Sequence, residues 1–164
     1  MTITTITKPG PVADRTVQQA TAWLARNSIG ILRVSVGLVF LGFGVLKFVP
    51  GLSPAQDLVI RTIETLTFGV ISGEAALLLT AVAECFIGVT LITGTFLKAG
   101  LAVLGGSLVG IMSPLVLFFG DMFADGPTLE AQYVFKDIVL VAAGLVIAAK
   151  SLGARMVTDP PATS

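Results

Sequence analysis

A single carboxylate, Glu84, stands in the middle of a long apolar stretch of the chain, TAVAECFIGVTLITG. No other charged residue lies between Glu74 and Lys98. A charge near the centre of a bilayer costs roughly 2.5–3.5 kcal/mol or more, so such a residue normally faces other helices and has a partner. Three interpretations are open: an ion pair that fixes helix register, a protonated group that holds helices together, or a site for a ligand, a quinone or a proton.

The best candidate partner of Glu84 is Lys47, which lies near the end of the preceding apolar segment. Helical side chains lean toward their own N-terminus, so Lys47 leans into the membrane while Glu84 leans toward the same boundary. With a rise of about 1.5 Å per residue, the two side chains meet roughly 10–12 Å below that boundary. Arg33 lies near the opposite boundary and is expected to extend to lipid phosphates. The predicted intramembrane polar cluster, a candidate ligand site, consists of Lys47, Glu74, Glu84, Lys136 and Asp137.

Small residues surround these ionisable positions at helical spacing, which is typical of membrane helices that approach closely. Gly44 precedes Lys47 on one face of the first segment, and Gly88 follows Glu84 by one turn on the next. A further stripe suits either a contact within the protein or a contact between two copies of the chain. It consists of Ala102, Gly106 and Gly110.

The composition places the chain in a membrane. Of its 164 residues 54% are hydrophobic and 12% are charged, against about 45–50% and about 25% in soluble domains. The net charge of zero argues against a nucleic-acid partner. One cysteine, Cys85, and no histidine exclude an intrachain disulfide and histidine-ligated haem or metal. No metal site or intrinsic cofactor is predicted, and redox chemistry would require a bound quinone or the cofactor of a partner.

Four apolar segments are predicted to cross the bilayer, which takes about 20 residues for each helix. They are Ile29–Val49, Glu74–Thr95, Ala99–Phe119 and Tyr133–Gly153. The fourth has the shortest uncharged centre, and Pro114 in the third predicts a kink or a broken helix that lines a pocket. The predicted fold class is all-α, a four-helix transmembrane bundle with short amphipathic interfacial helices.

The ends of the chain are predicted to lie in the cytoplasm. Residues 1–28 are expected to form a cytoplasmic segment with an interfacial helix over Asp14–Arg26, residues 29–153 the transmembrane domain and residues 154–164 a cytoplasmic tail. Lysine and arginine are concentrated on the side of the termini, whereas the opposite loops carry Arg61, which sets this orientation. The prediction is a multi-pass protein of a bacterial-type inner membrane, without a cleaved signal peptide.

The first external loop predicts an amphipathic helix that covers the outer end of the bundle. Its sequence SPAQDLVIRTIETL begins with Ser53 as the expected N-cap and Gln56 three residues later, a capping-box pattern. Apolar residues share one face, while Asp57 and Arg61 form a charged pair at i,i+4 on the other.

The order of these motifs resembles the DoxX-like integral membrane proteins, and more closely their YkgB/RclC branch. The likeness covers about residues 30–150 and is carried by GVLKFVPGLSP, AECFIGVTLITG, GGSLVGIMSPLVLFF and FKDIVLVAAGLVIAA. It implies a four-helix inner-membrane protein. DoxX is associated with a thiosulfate:quinone oxidoreductase and with membrane oxidoreductase assemblies, and the YkgB/RclC branch with resistance to reactive chlorine species.

The resemblance supplies no catalytic mechanism. The positions that it carries over are Arg33, Lys47, Glu84, Lys136 and Asp137. The first external loop is much shorter than in the YkgB pattern, and the third loop has no histidine, which argues against a role specific to chlorine.

Two classes of function follow. In the first, the chain is an accessory or quinone-contacting subunit of a membrane redox or oxidative-stress system, more a non-catalytic subunit than an enzyme. Its expected partners are the lipid bilayer, a membrane or soluble oxidoreductase, and a second copy of the chain. In the alternative, it is a small oligomeric transporter or proton-coupled permease that uses Glu84, or a structural membrane scaffold.

Overall fold

Helices joined by short connections make up the described part of the chain. The computed structural model describes residues 11–49, 51–53, 55–124 and 126–155, and of residues 11–14 the backbone alone. The helices are α1 (Pro11–Leu46), α2 (Gln56–Leu66), α3 (Gly73–Thr93), α4 (Leu97–Met112), α5 (Pro114–Leu117), α6 (Phe119–Phe123), α7 (Leu129–Lys136) and α8 (Ile138–Ser151). The start of the predicted N-terminal segment, residues 1–10, and most of the predicted tail, residues 156–164, lie outside the described residues.

The predicted interfacial helix and the first predicted span belong to one helix, α1, of 36 residues. No proline or glycine separates them, and the Asn27 side chain donates a hydrogen bond to the Trp23 carbonyl at 2.9 Å, so the helix continues through the predicted boundary. At about 1.5 Å per residue α1 is about 54 Å long, well beyond the roughly 30 Å of a hydrocarbon core. The apolar part of α1 is therefore long enough to cross the hydrocarbon core of a bilayer.

Three helices in the described residues are long and apolar enough to cross a membrane. They span Arg15–Leu46, Gly73–Thr93 and Leu97–Leu117. The fourth predicted segment corresponds to the second half of α7 and to α8. These two helices are separated by a turn at Asp137, and α8 alone has 14 residues. The all-helical class and the membrane setting agree with the sequence prediction.

Glycines allow the long helices to pack closely in antiparallel pairs. A Cβ atom on Gly88 of α3 would lie 2.6 Å from the Cβ atom and 2.7 Å from the backbone nitrogen of Leu41 in α1. Gly100 of α4 likewise lies against Thr90, and Gly144 of α8 against Leu104 and Leu108 of α4. The predicted close approach at Gly44 and Gly88 is confirmed. The core that these helices share consists of Val36, Phe40, Ile87, Leu91, Leu104, Leu108, Ala143 and Ile147.

The end at which α1 stops and α3 starts is covered by α2 and by α5 to α7. A second apolar cluster joins these helices and consists of Leu58, Phe118, Met122, Ala131 and Val134. Arg61 of α2 pairs with Asp121 of α6 at 2.6 Å and lies over the Phe118 ring, 4.0 Å from its centroid. Arg61 thus ties α2 to α6, a tertiary pairing that takes the place of the expected one with Asp57.

The predicted N-cap at Ser53 is wrong, because α2 begins later. Its N-cap is Ala55, which makes no side-chain capping bond. The Gln56 side chain instead accepts a hydrogen bond from the Gly51 backbone N–H at 3.4 Å. The residue that was expected to complete a capping box therefore closes the preceding loop.

Candidate functional site

The predicted partner of Glu84 is confirmed, since Lys47 Nζ lies 2.7 Å from Glu84 Oε2. The two side chains are 5% and 9% exposed, so the pair is enclosed by protein. A short charge-assisted hydrogen bond of this kind is among the stronger polar contacts in proteins. The Phe43 ring lies beside the ammonium group, with its centroid 5.9 Å from Lys47 Nζ.

Gly44 lets α1 approach α3 closely enough for this pair to form. A Cβ atom at position 44 would lie 3.0 Å from Glu84 Cβ and 2.9 Å from both the backbone nitrogen and Sγ of Cys85. Those contacts are shorter than carbon atoms tolerate, so any larger residue would push the helices apart. The ion pair therefore depends on the absence of a side chain at Gly44.

A cavity of about 770 Å³ lies beside the ion pair, and Lys47 and Glu84 are part of its wall. Most of its wall is apolar and comes from α1, α2, α3, α4 and α8. Lys136 and Asp137, at the junction of α7 and α8, also line it. Four of the five residues of the predicted cluster therefore border one cavity.

Glu74, the fifth residue of the predicted cluster, does not line the cavity and is exposed in the first turn of α3. The prediction placed Glu74 by its depth along the axis of α3 alone. This depth does not determine toward which side of the helix the residue points. At about 100° per residue, Glu74 lies about 80° around α3 from Glu84. That rotation takes it to the flank opposite Thr80 and Ala83, which do line the cavity.

Arg33 lies far from the cavity, at the other end of α3, as its position predicted. Its guanidinium contacts Gly94, where a Cβ atom would lie 2.7 Å from Arg33 Nη1. Gly94 caps the C-terminus of α3 in a left-handed conformation, with φ of 78°. A cation at a helix C-terminus is favourable, because the last carbonyl groups carry partial negative charge. The extension of Arg33 to lipid phosphates stays a prediction.

Tyr133 is a site residue that the search for charged groups missed. Its ring meets Phe43 edge-on, with centroids 5.9 Å apart, and Lys136 Nζ lies 3.5 Å from the centre of the same ring. Its hydroxyl is buried and has no hydrogen-bond partner in the described residues. A usable signal was the position of this residue, the one tyrosine of the chain, one helical turn before Asp137.

Pro114 interrupts the helical hydrogen bonding beside the cavity, at the junction of α4 and α5 within the candidate span Leu97–Leu117. It begins α5 directly after α4 has ended at Met112, it is buried, and it lines the cavity. Proline has no N–H to donate to the carbonyl four residues earlier, which belongs to Gly110. The Ser113 hydroxyl donates to that carbonyl at 2.7 Å, so the backbone group that proline leaves free is satisfied.

The side chains at the cavity can bind an organic molecule with a polar end. No group of three or more metal-binding side chains lies together within the described ranges. The polar end of the cavity instead combines ammonium and hydroxyl donors, on Lys47, Lys136 and Tyr133, with the Asp137 carboxylate. The part of the wall that α4 supplies is largely apolar and includes Val109 and Ile111.

No protein-family model, curated protein or solved structure matches this chain. The resemblance to DoxX-like proteins therefore remains a prediction from the motifs.

Proposed function

We propose that the chain is an accessory, quinone-contacting subunit of a membrane redox or oxidative-stress system. The observation that carries this proposal is a cavity of about 770 Å³ with apolar walls and a polar end built on a buried ion pair. Ligand sites are typically apolar clefts of about 300–1,000 Å³ with a few polar groups that fix orientation. A quinone head group, an apolar ring with carbonyl oxygens, matches such a site.

The polar end offers hydrogen-bond donors to those carbonyl oxygens. Lys47 has three N–H groups, of which one is directed at Glu84, and Glu84 compensates its charge. Among the described residues the buried Tyr133 hydroxyl has no hydrogen-bond partner, a state that costs about 1–3 kcal/mol. A carbonyl oxygen that accepts from this hydroxyl would remove that cost, so the site favours a ligand with acceptor oxygens.

The proposal includes the finer architecture that the motifs predict. α7 and α8 together cover residues 129–151, and this length of helix extends about 34 Å, enough for a fourth crossing. The chain would then form a four-helix bundle of DoxX-like type in a bacterial inner membrane, with both termini in the cytoplasm. An oxidoreductase partner and a second copy of the chain belong to the same proposal.

Quinone binding to the purified protein tests this function. The protein is solubilised gently, its bound lipids are analysed by mass spectrometry, and it is titrated with a short-chain benzoquinone. Tyr133→Phe keeps the ring and removes one donor, so we expect binding to weaken about twofold to tenfold, the equivalent of about 0.5–1.5 kcal/mol. Thr93→Val, which removes an exposed hydroxyl at the other end of α3, should bind like the wild type.

The function is refuted if the wild type binds no quinone and no redox partner co-purifies with it. Equal binding by Tyr133→Phe and the wild type would remove Tyr133 from the site.

A second candidate function rests on Glu84, because this carboxylate lies in a candidate span and borders the cavity. A proton-coupled permease would use it as the titrating group, and so small a protein would need to oligomerise to alternate its access. Glu84→Gln in proteoliposomes separates this candidate from the first. Solute or proton flux that equals the wild-type value would eliminate the permease.

A further inference from the structure

Residues of both α3 and α4 line the cavity, together with residues of α2. Helices α3 and α4 touch at Thr90 and Gly100, where a Cβ atom on Gly100 would lie 2.7 Å from Thr90 Cβ. Since they run antiparallel, the turn from Leu79 to Ala83 lies opposite the turn from Gly106 to Gly110. A Cβ atom on Gly106 or Gly110 would meet nothing within 4 Å, so none of the described side chains fills the gap on α4.

The same gap reaches the outer surface of the protein. Leu79, Ala83, Gly106 and Gly110 all line the cavity, and Leu79 is 49% exposed. Gly106 is exposed as well. The cavity wall and the outer surface of the protein therefore meet at Leu79 and Gly106.

With the candidate span Gly73–Thr93 placed across a bilayer, the opening lies at the depth of the hydrocarbon core. Leu79 and Ala83 are six and ten residues into α3, about 9–15 Å from its start. The outer surface around them is apolar, with Val82 and Phe86 54% and 41% exposed. The α4 side has no charged residue between Lys98 and Asp121. A molecule that passes this opening comes from lipid rather than from water.

We propose that the ligand enters sideways from the membrane between α3 and α4, and that its apolar chain lies across Gly106 in the bound state. The proposal rests on the cavity as a quinone site and adds the class of ligand, a membrane-dissolved molecule with a long apolar tail. The end of the molecule beyond the cavity is covered by α2 and the second apolar cluster, which favours the sideways route.

Closing the gap with a side chain tests the proposal. Gly106→Leu places a branched side chain in the opening, and its Cβ atom has open space around it among the described residues. Gly105→Leu is the matched control, with the same substitution at the preceding residue. Gly105 is also exposed and has open space for a Cβ atom, but it does not line the cavity. Both variants are reconstituted in nanodiscs and compared with the wild type.

Two probes are used, a quinone with a long isoprenoid chain dissolved in the nanodisc and a short-chain benzoquinone added from water. We expect Gly106→Leu to weaken binding of the long-chain quinone at least tenfold and to leave the short-chain quinone within twofold of the wild type. Gly105→Leu should leave both unchanged. Thermal melting of each variant shows whether its fold is intact.

The possible outcomes test the proposed entrance and the proposed quinone site separately. If Gly106→Leu binds the long-chain quinone like the wild type, the sideways entrance is wrong and the quinone site stands. An equal loss of both quinones in Gly106→Leu would show that position 106 belongs to the head-group site, which also overturns the entrance. If the wild type binds neither probe, the entrance and the quinone site are both wrong, and the proposed function falls with them if no redox partner co-purifies either.

Discussion

Removing Lys47 while Glu84 remains should strongly destabilise the protein. The pair is short, at 2.7 Å, and its side chains are 5% and 9% exposed, so Lys47→Met would leave a carboxylate enclosed without its cation. Breaking a buried pair from one side costs about 3–5 kcal/mol, whereas replacing both partners by apolar residues is often neutral or stabilising. We therefore expect Lys47→Met to lower the free energy of unfolding by that amount, and Lys47→Met with Glu84→Leu to restore most of it.

The assay is unfolding by SDS in mixed micelles, with Arg61→Met as the control. Arg61 makes an ion pair of similar length with Asp121, but those side chains are 56% and 64% exposed. An exposed pair is worth about 0–1 kcal/mol and the contact of Arg61 with the Phe118 ring about 0.5–1 kcal/mol, so Arg61→Met should cost less than Lys47→Met. The reasoning is refuted if Lys47→Met costs no more than Arg61→Met, or if the double variant is less stable than Lys47→Met.

Three further predictions concern helix packing and the helix break. Gly88→Ala should destabilise the protein by about 1–3 kcal/mol, because the new methyl group would overlap the Leu41 backbone and overpacking has this cost; SDS unfolding measures it. Gly105→Ala, at a position with open space, should be neutral or slightly stabilising in the same assay, and a loss like that of Gly88→Ala would contradict the packing argument. Ser113→Ala should cost about 1 kcal/mol, because it removes the side-chain hydrogen bond to the Gly110 carbonyl and leaves only the longer bond from the Ser113 backbone N–H, at 3.3 Å; thermal unfolding measures this loss, and an unchanged melting temperature would show that the backbone bond suffices.

The sequence was sufficient to predict the pair of Lys47 with Glu84. Each residue lies on a long apolar helix, so depth follows from counting residues and direction from the lean of helical side chains. Gly44 and Gly88 added the requirement for close approach. These arguments use only the position of each residue along its helix. For two neighbouring antiparallel helices, no further information is needed.

Depth alone failed where rotation or tertiary packing decides. Glu74 has the right depth for the cluster but the wrong direction around α3. Arg61 pairs with Asp121, 60 positions away in the chain, because α2 and α6 fold over the same end of the protein. Tyr133 was missed because charge was the criterion of the search, whereas its role follows from an aromatic ring between Phe43 and Lys136.

The position of a bound quinone tests the central claim most directly. The protein in nanodiscs is labelled with a photoreactive quinone whose reactive group is on the ring, and the modified residues are identified by peptide mass spectrometry. We expect labels on cavity residues such as Phe43, Thr80 and Tyr133, with competition by unlabelled quinone. Labels confined to the exposed outer face of α3, at Val82 and Val89, or labels that unlabelled quinone does not displace, would contradict the account.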